Sequence, residues 1–285
     1  MEGDDRMIDA RELERLLMMT KRECNVMGKP KSQVVACILT PEEGTPNRVR
    51  TTSLVRDGKT SVASFSVRGE IDSSIVIPDI DRVLGVLKGY RGQISIENLD
   101  GKIRFKGING TKKQTTLTAN LKGLAFPHSK ETIGEWHDKS CERAKVIDYK
   151  KGYTLKDGSV REFMAVMKVS KSNLLHALEC DSINGQKLNR YTFDYDGEGT
   201  LTITTGKELK GETQTQMSVE CECETPFSAT YEGGLESIMK YCDKTDQLRP
   251  NIWLNFLDFR PENQGIALVM GIGINDFVYQ APTMK

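Results

Sequence analysis

A helix that feeds a hairpin is written twice in this chain, and that duplication constrains its fold more than any other feature. In the first half, Ile75-Val76-Ile77-Pro78 leads into an amphipathic run over residues 79–88. Gln93-Ile94-Ser95-Ile96, the turn Leu99-Asp100-Gly101 and the stretch 102–106 follow. In the second half, a similar run over 234–242 precedes Asn251-Ile252-Trp253-Leu254-Asn255-Phe256, a polar turn at 260–264 and the apolar stretch 265–270. Such a tandem implies two similar α+β domains rather than one large catalytic fold. A chain of 285 residues is long enough for each domain to bury its own core. The expected boundaries are 1–121, a connector at 122–162, and 163–285.

Composition excludes several classes. No apolar run approaches the ~20 residues that span a bilayer, so no membrane partner is expected. The opening MEGDDRMIDARELE is acidic and polar, unlike a targeting peptide. Seven cysteines form no regular framework, and an odd number cannot all pair within one chain. Reduced thiols in an intracellular setting are the simplest reading. With 40 basic and 40 acidic residues the net charge is zero, so any charged surface must come from local arrangement.

The helical runs supply that arrangement. Over 9–22, Asp9 stands at an N-cap position with Glu12 in capping-box spacing. Leu13, Leu16, Leu17 and Thr20 fall on one side, Arg11, Arg15 and Arg22 on the other, with Lys21 partway round. Over 79–88, Ile80, Val83, Leu84 and Leu87 form the apolar face; Arg82 points away from it, Lys88 lies at its edge and Arg91 follows. Over 234–242, Lys240 and Ser237 oppose Leu235, Ile238, Met239 and Cys242. The run 170–180 buries Leu174, Leu175 and Leu178 and carries Asn173, His176 and Glu179 outside, with Lys171 nearer the apolar side. Three outer faces are therefore basic and the fourth only weakly so.

Most of the remainder reads as strands, at 34–39, 49–55, 60–67, 114–121, 191–195, 199–205 and 214–223. The threonine-rich stretch 114–121 has the look of a sheet edge. The connector is the least regular stretch and too long for an ordinary loop. His128, His137 and Cys141 fall in it, but their spacing fits no common zinc site. There is no Walker loop and no nucleophile elbow, so neither a cofactor nor an enzyme activity is called for.

The two-domain repeat, the amphipathic helices and the ending Tyr279-Gln280-Ala281-Pro282 resemble the proliferating cell nuclear antigen family of DNA sliding clamps. Clamps of that family end in a similar Tyr-Leu-Ala-Pro-Lys segment. The likeness runs from Met7 to Lys285. Three departures are visible: a longer connector, a neutral net charge, and a third helix without a clear basic face. The resemblance implies a homotrimeric ring, helices inside and sheets outside, encircling double-stranded DNA without sequence preference. It also implies a clamp-loader ATPase, a tethered DNA polymerase and other proteins carrying clamp-binding peptides, and a nuclear location in a eukaryote or a cytoplasmic one otherwise. On that basis Arg11, Arg15, Lys21, Arg22, Arg82, Lys88, Arg91, Lys171 and Lys240 are the expected phosphate contacts. Leu54, Val55, Arg56, Leu124, Phe126 and Tyr279 to Pro282 are the expected peptide pocket. Residues 114–121 are expected to pair with 214–219 of the next subunit. A clamp-like factor that is monomeric or part of a heteromeric ring, and more distantly a metal- or thiol-dependent enzyme using His128, His137 and Cys141, are the alternatives.

Overall fold

A computed structural model describes residues 7–26, 29–32, 34, 36–42, 44–45, 47–56, 60–99, 102–107, 113–118, 130–148, 150–179, 190–207, 211–242, 250–273 and 276–283. The duplicated element is present, and the structure doubles it again. A strand, a helix and three antiparallel strands recur four times along the chain. The first copy is β1 (Ile8–Asp9), α1 (Ala10–Lys21), then β4 (Cys37–Pro41), β5 (Arg48–Arg56) and β6 (Thr60–Arg68), with a small hairpin, β2 (Glu23–Val26) and β3 (Lys29–Ser32), inserted after the helix. The second is β7 (Ile75–Ile77), α2 (Ile80–Leu87), β8 (Gln93–Leu99), β9 (Lys102–Gly107) and β10 (Gln114–Thr118).

The third copy is β14 (Ala165–Ser170), α4 (Lys171–Glu179), β15 (Arg190–Tyr195), β16 (Thr200–Lys207) and β17 (Gly211–Ser218). The fourth is β18 (Phe227–Glu232), α5 (Leu235–Tyr241), β19 (Asn251–Asp258), β20 (Ile266–Gly271) and β21 (Phe277–Gln280).

Two copies make each compact unit, and they do so by exchanging their first strands. In the first unit β1 pairs with β8 of the second copy (Ile8 opposite Ile94), while β7 pairs with β4 of the first (Ile77 opposite Cys37). In the second unit β14 pairs with β19 (Ala165 opposite Phe256), and β18 with β15 (Phe227 opposite Tyr195). The strand orders are β1-β8-β9-β10 and β6-β5-β4-β7 in one unit, β14-β19-β20-β21 and β17-β16-β15-β18 in the other. Exchange buries two helices side by side against two sheets. Leu13, Leu16 and Leu17 of α1 and Ile80, Val83 and Leu87 of α2 are fully or nearly fully buried in the first unit. In the second unit Phe193 and Phe227 meet Phe256 across the sheets, at ring centroid separations of 6.3 and 4.8 Å.

The helix starts follow from local chemistry. Asp9 accepts from the backbone N–H of Arg11 and Glu12, at 2.9 and 3.2 Å, and Asp79 accepts from Arg82 N–H at 3.0 Å. Glu12 does not close the capping box; its carboxylate takes Arg15 Nη2 at 2.8 Å instead.

The connector is more ordered than its sequence implies. It holds α3 (Lys130–Lys145), then a three-stranded sheet of β11 (Ile147–Asp148), β12 (Gly152–Thr154) and β13 (Val160–Glu162). The compact units divide inside α3, after Cys141, and the second unit also takes residues 22–33 and 54–63. The apolar positions of α3 are sparse, with Ile133 and Ser140 its buried side chains, so its periodicity is weak. Two further expectations move: β17 stops at Ser218, leaving Cys221 and Cys223 in non-strand backbone, and Ser237 of α5 is buried, donating to Gly234 O at 2.9 Å.

Gly152 is the tight point of the connector sheet. Its φ is +147°, and a Cβ there would stand 2.0 Å from Arg161 O. Gly152→Ala should therefore cost about 1–3 kcal/mol, read from the midpoint of urea denaturation.

Candidate nucleic-acid interface and partner pocket

Cations on the first unit's helices do not all reach solvent. Ala10 N–H donates to Gly92 O at 3.0 Å, which holds the start of α1 against the turn that follows α2. That bond brings Arg11 and Arg91 to the same end of the helix pair, with Lys88 one turn away; all three are exposed. Sequence reasoning missed a fourth member. Lys113, at the entry to β10, donates to Gly89 O at 3.1 Å and lies 4.9 Å from the centre of the Tyr90 ring. Tyr90 in turn anchors the turn to the sheet, donating to Phe105 O or Thr115 Oγ1 at 3.1 and 2.8 Å. No salt bridge to a described residue engages Arg11, Lys88, Arg91 or Lys113. Lys113 escaped notice because it lies between strands, and only the fold brings it to the helix end.

The other expected phosphate contacts are more constrained. Arg15 is half-buried and tied to Glu12, and Arg82 is half-buried. Lys21 is 8% exposed, with Nζ 2.6 Å from Asp81 Oδ1. Arg22 has no exposed surface at all, and its φ of +47° lies in the left-handed region. Its Nη2 donates to Gln280 Oε1 at 2.6 Å, inside the second unit. In this structure Lys21 and Arg22 are thus turned from solvent, because the helix ends where its last turn enters the core.

On the second unit's helices, Lys171 is half-buried, with its backbone N–H bound to Pro250 O at 2.8 Å. Lys240 is exposed but neutralised locally by Glu236 at 2.5 Å and Glu179 at 3.9 Å. Burial disfavours the Lys240 ammonium, and the two carboxylates overcome it, raising its pKa. Among the described residues named above, the exposed cations without a salt bridge to a described residue lie in the first unit.

The segment Phe277–Gln280 that opens the terminal motif is a strand, not a free tail. Tyr279 is 6% exposed and Gln280 is fully buried, while Ala281 and Pro282 are half-buried. Tyr279 joins Phe259, Val269, Phe277, Val62 and Ile147 in an apolar cluster, against which Tyr153 and Leu155 of the connector and Phe163 just after it pack. Tyr153 meets Phe259 edge-on at 5.6 Å between centroids, and Arg143 of α3 lies 5.7 Å from the Tyr279 ring centre while donating to Tyr153 Oη at 2.6 Å. Burial pushes the Tyr279 phenol up to about 12, the Arg143 charge partly opposing it. Gln280 donates to Glu232 O at 2.9 Å while accepting from Arg22.

The backbone of Leu54, Val55 and Arg56 belongs to β5; their side chains, and the whole of Leu124, Phe126 and His128, lie outside what is described. His137 and Cys141 are one helical turn apart with Nδ1 and Sγ 3.6 Å apart. Among the described residues no three His, Cys, Asp or Glu side chains are grouped to hold a metal.

Comparison with known proteins bears on the fold. No protein-family model and no curated protein matches the sequence. Solved structures do. The Thermotoga maritima DNA polymerase III beta subunit matches at 13% identity and TM-score 0.57, over 97% of this chain and 64% of that one. A Caulobacter crescentus beta sliding clamp matches at 14% and 0.60, over 99% and 68%. The Bacillus subtilis DNA polymerase sliding clamp matches at 11% and 0.62, over 100% and 65%. The chain has the α+β sliding-clamp fold and spans about two thirds of the length of these proteins. These neighbours are bacterial beta clamps, whereas the sequence ending pointed to the proliferating cell nuclear antigen group.

Gln280→Leu, which introduces the residue found at this point of that family's motif, should destabilise this protein. It removes one acceptor of a buried guanidinium and one donor to Glu232 O, a loss of roughly 1.5–3 kcal/mol. Urea denaturation of the variant against wild type measures it.

Proposed function

We propose that this chain is a DNA sliding clamp: copies of it close into a ring around duplex DNA and tether a DNA polymerase and other replication or repair proteins, without catalysing a reaction. The observation that carries this is the sliding-clamp fold over nearly the whole chain, with a cluster of exposed cations on its first helix pair. Cations at Arg11, Lys88, Arg91 and Lys113 would meet phosphates, with Arg15, Arg82, Lys171 and Lys240 in supporting positions. Interactions with phosphate carry no sequence information and exchange readily, so they let a ring slide.

Closure of the ring is proposed through β10 and β17, each of which ends its sheet. Both are polar, with exposed Gln114 and Thr116 in one and exposed Gln214 and Gln216 in the other. Each therefore stands, among the described residues, at a sheet edge that could pair with another strand. Two units per chain favour a homotrimer. A clamp-binding peptide would dock beside Tyr279, where it must displace or extend the packing of Tyr153 and Leu155. A clamp-loader ATPase and an intracellular site of action complete the proposal.

Two experiments test it. Thr116→Pro removes a ladder donor from β10 and should convert a trimer into monomers by light scattering, with the melting temperature nearly unchanged; a wild type that stays monomeric at tens of micromolar, a concentration well above typical interface dissociation constants, would refute ring closure by this chain alone. Reversing charge at Arg11, Lys88 and Arg91 together should make the dependence of log affinity for duplex DNA on log salt shallower, by about 0.9 for each phosphate that is no longer neutralised. An unaltered slope would mean that these cations are ordinary solvated surface.

A further inference from the structure

The second unit carries a groove of about 910 Å³ on a side of its sheets that neither the helices nor the chain end occupies. Its floor includes Val166 of β14 and Trp253 of β19, two of the four large hydrophobic side chains that stand exposed among the described residues, at 41% and 45%. The ladder register places both on one face: Lys168 lies opposite Trp253, and Val166 opposite Asn255. Its wall is the segment 219–224 together with the turn after β15, contributing Glu198, Glu220, Glu222 and Glu224. No lysine or arginine is in the lining; Lys168 is not part of it.

The wall is firmly built. Val219 N–H donates to Gly199 O at 2.8 Å, and Asp196 accepts from the N–H groups of Glu198 and Thr200 at 2.7 and 2.9 Å. Gly197 has φ +84°, and a Cβ there would come within 2.6 Å of Glu224 O, so the turn and the acidic segment are held in contact. The glutamates alternate with Cys221 and Cys223, which turn inward and are half-buried, so Glu220, Glu222 and Glu224 remain exposed.

We infer that this groove docks a cationic peptide segment of a partner protein, seating an apolar or aromatic anchor on Val166 and Trp253 while its lysines or arginines meet the four glutamates. Charge complementarity selects this occupant: the charged side chains that line the groove are all glutamates, which repel acidic or nucleic-acid partners, and the exposed apolar floor would leave a purely polar chain without an anchor. Tyr279 does not line the groove, although Phe163 lines it and also packs against the Tyr279 cluster; the proposal does not rest on ring formation.

The test uses the full chain and a fluorescein-labelled heptapeptide, Lys-Arg-Leu-Arg-Phe-Lys-Arg, followed by anisotropy. Saturable binding is expected, with a dissociation constant of roughly 1–100 μM, and weakened by added salt. Trp253→Ala, and separately Glu220→Lys with Glu222→Lys at exposed positions, should each weaken it at least tenfold. Replacing the cations of the probe by glutamate, or Leu and Phe by serine, should do the same. Should Trp253→Ala not fold, the double glutamate variant alone decides. Equal affinity for the groove variants, or no saturation up to roughly 1 mM, would overturn the proposal. A mass that rises with concentration and is abolished by Trp253→Ala, without peptide binding, would overturn it in favour of a second copy in the groove.

Discussion

Strand exchange between neighbouring copies of one motif is the constraint from which each unit follows. A single strand-helix-hairpin copy cannot cover its own apolar helix face. Pairing β1 with β8 and β7 with β4 brings α1 and α2 together over two sheets, and β14 with β19 and β18 with β15 does the same for α4 and α5. In the first unit the exchanged strands are short, two residues in β1 and three in β7, but they fix which helix lies beside which. The Ala10–Gly92 bond is a direct consequence, and it is what gathers Arg11 and Arg91 at one end of the pair. The charged surface is thus a product of topology; the net charge of the chain is zero.

A second dependence runs through the end of the chain. Gln280 links the left-handed residue Arg22 to the carbonyl of Glu232, so residue 22 and β18 are both held by the terminal strand. Tyr279, one position away, faces the opposite side and carries the connector through Tyr153 and Arg143. Alternation along one strand therefore sends one side chain into a polar link and the next into an apolar cluster. A partner peptide that competes for the Tyr279 surface would act on the connector as well.

Much of this was legible in the sequence. Helix periodicity located α1, α2, α4 and α5, and Asp9 was readable as a cap because its side chain needs only local backbone donors. The doubling within the first unit was not legible, since exchanged strands as short as β1 and β7 carry almost no periodicity. Helix α3 was missed because its apolar positions are few, although Glu131 in its first turn and Arg143 and Lys145 in its last complement the helix dipole and could have signalled it. Burial of Arg22 was out of reach for a different reason: a helical wheel continues past the point where the helix stops. Lys113 needed the three-dimensional path of β9 into β10.

The proposed function is topological: the protein would hold DNA by encircling it, with weak contacts that slide. Assembly on nicked circular duplex followed by gel filtration, then a single restriction cut, tests that claim most directly. Retention on the circle and release after the cut, at unchanged salt, is the result that enclosure predicts. Retention that is equal on circular and cut DNA would show that affinity and not enclosure holds the protein, and would contradict it.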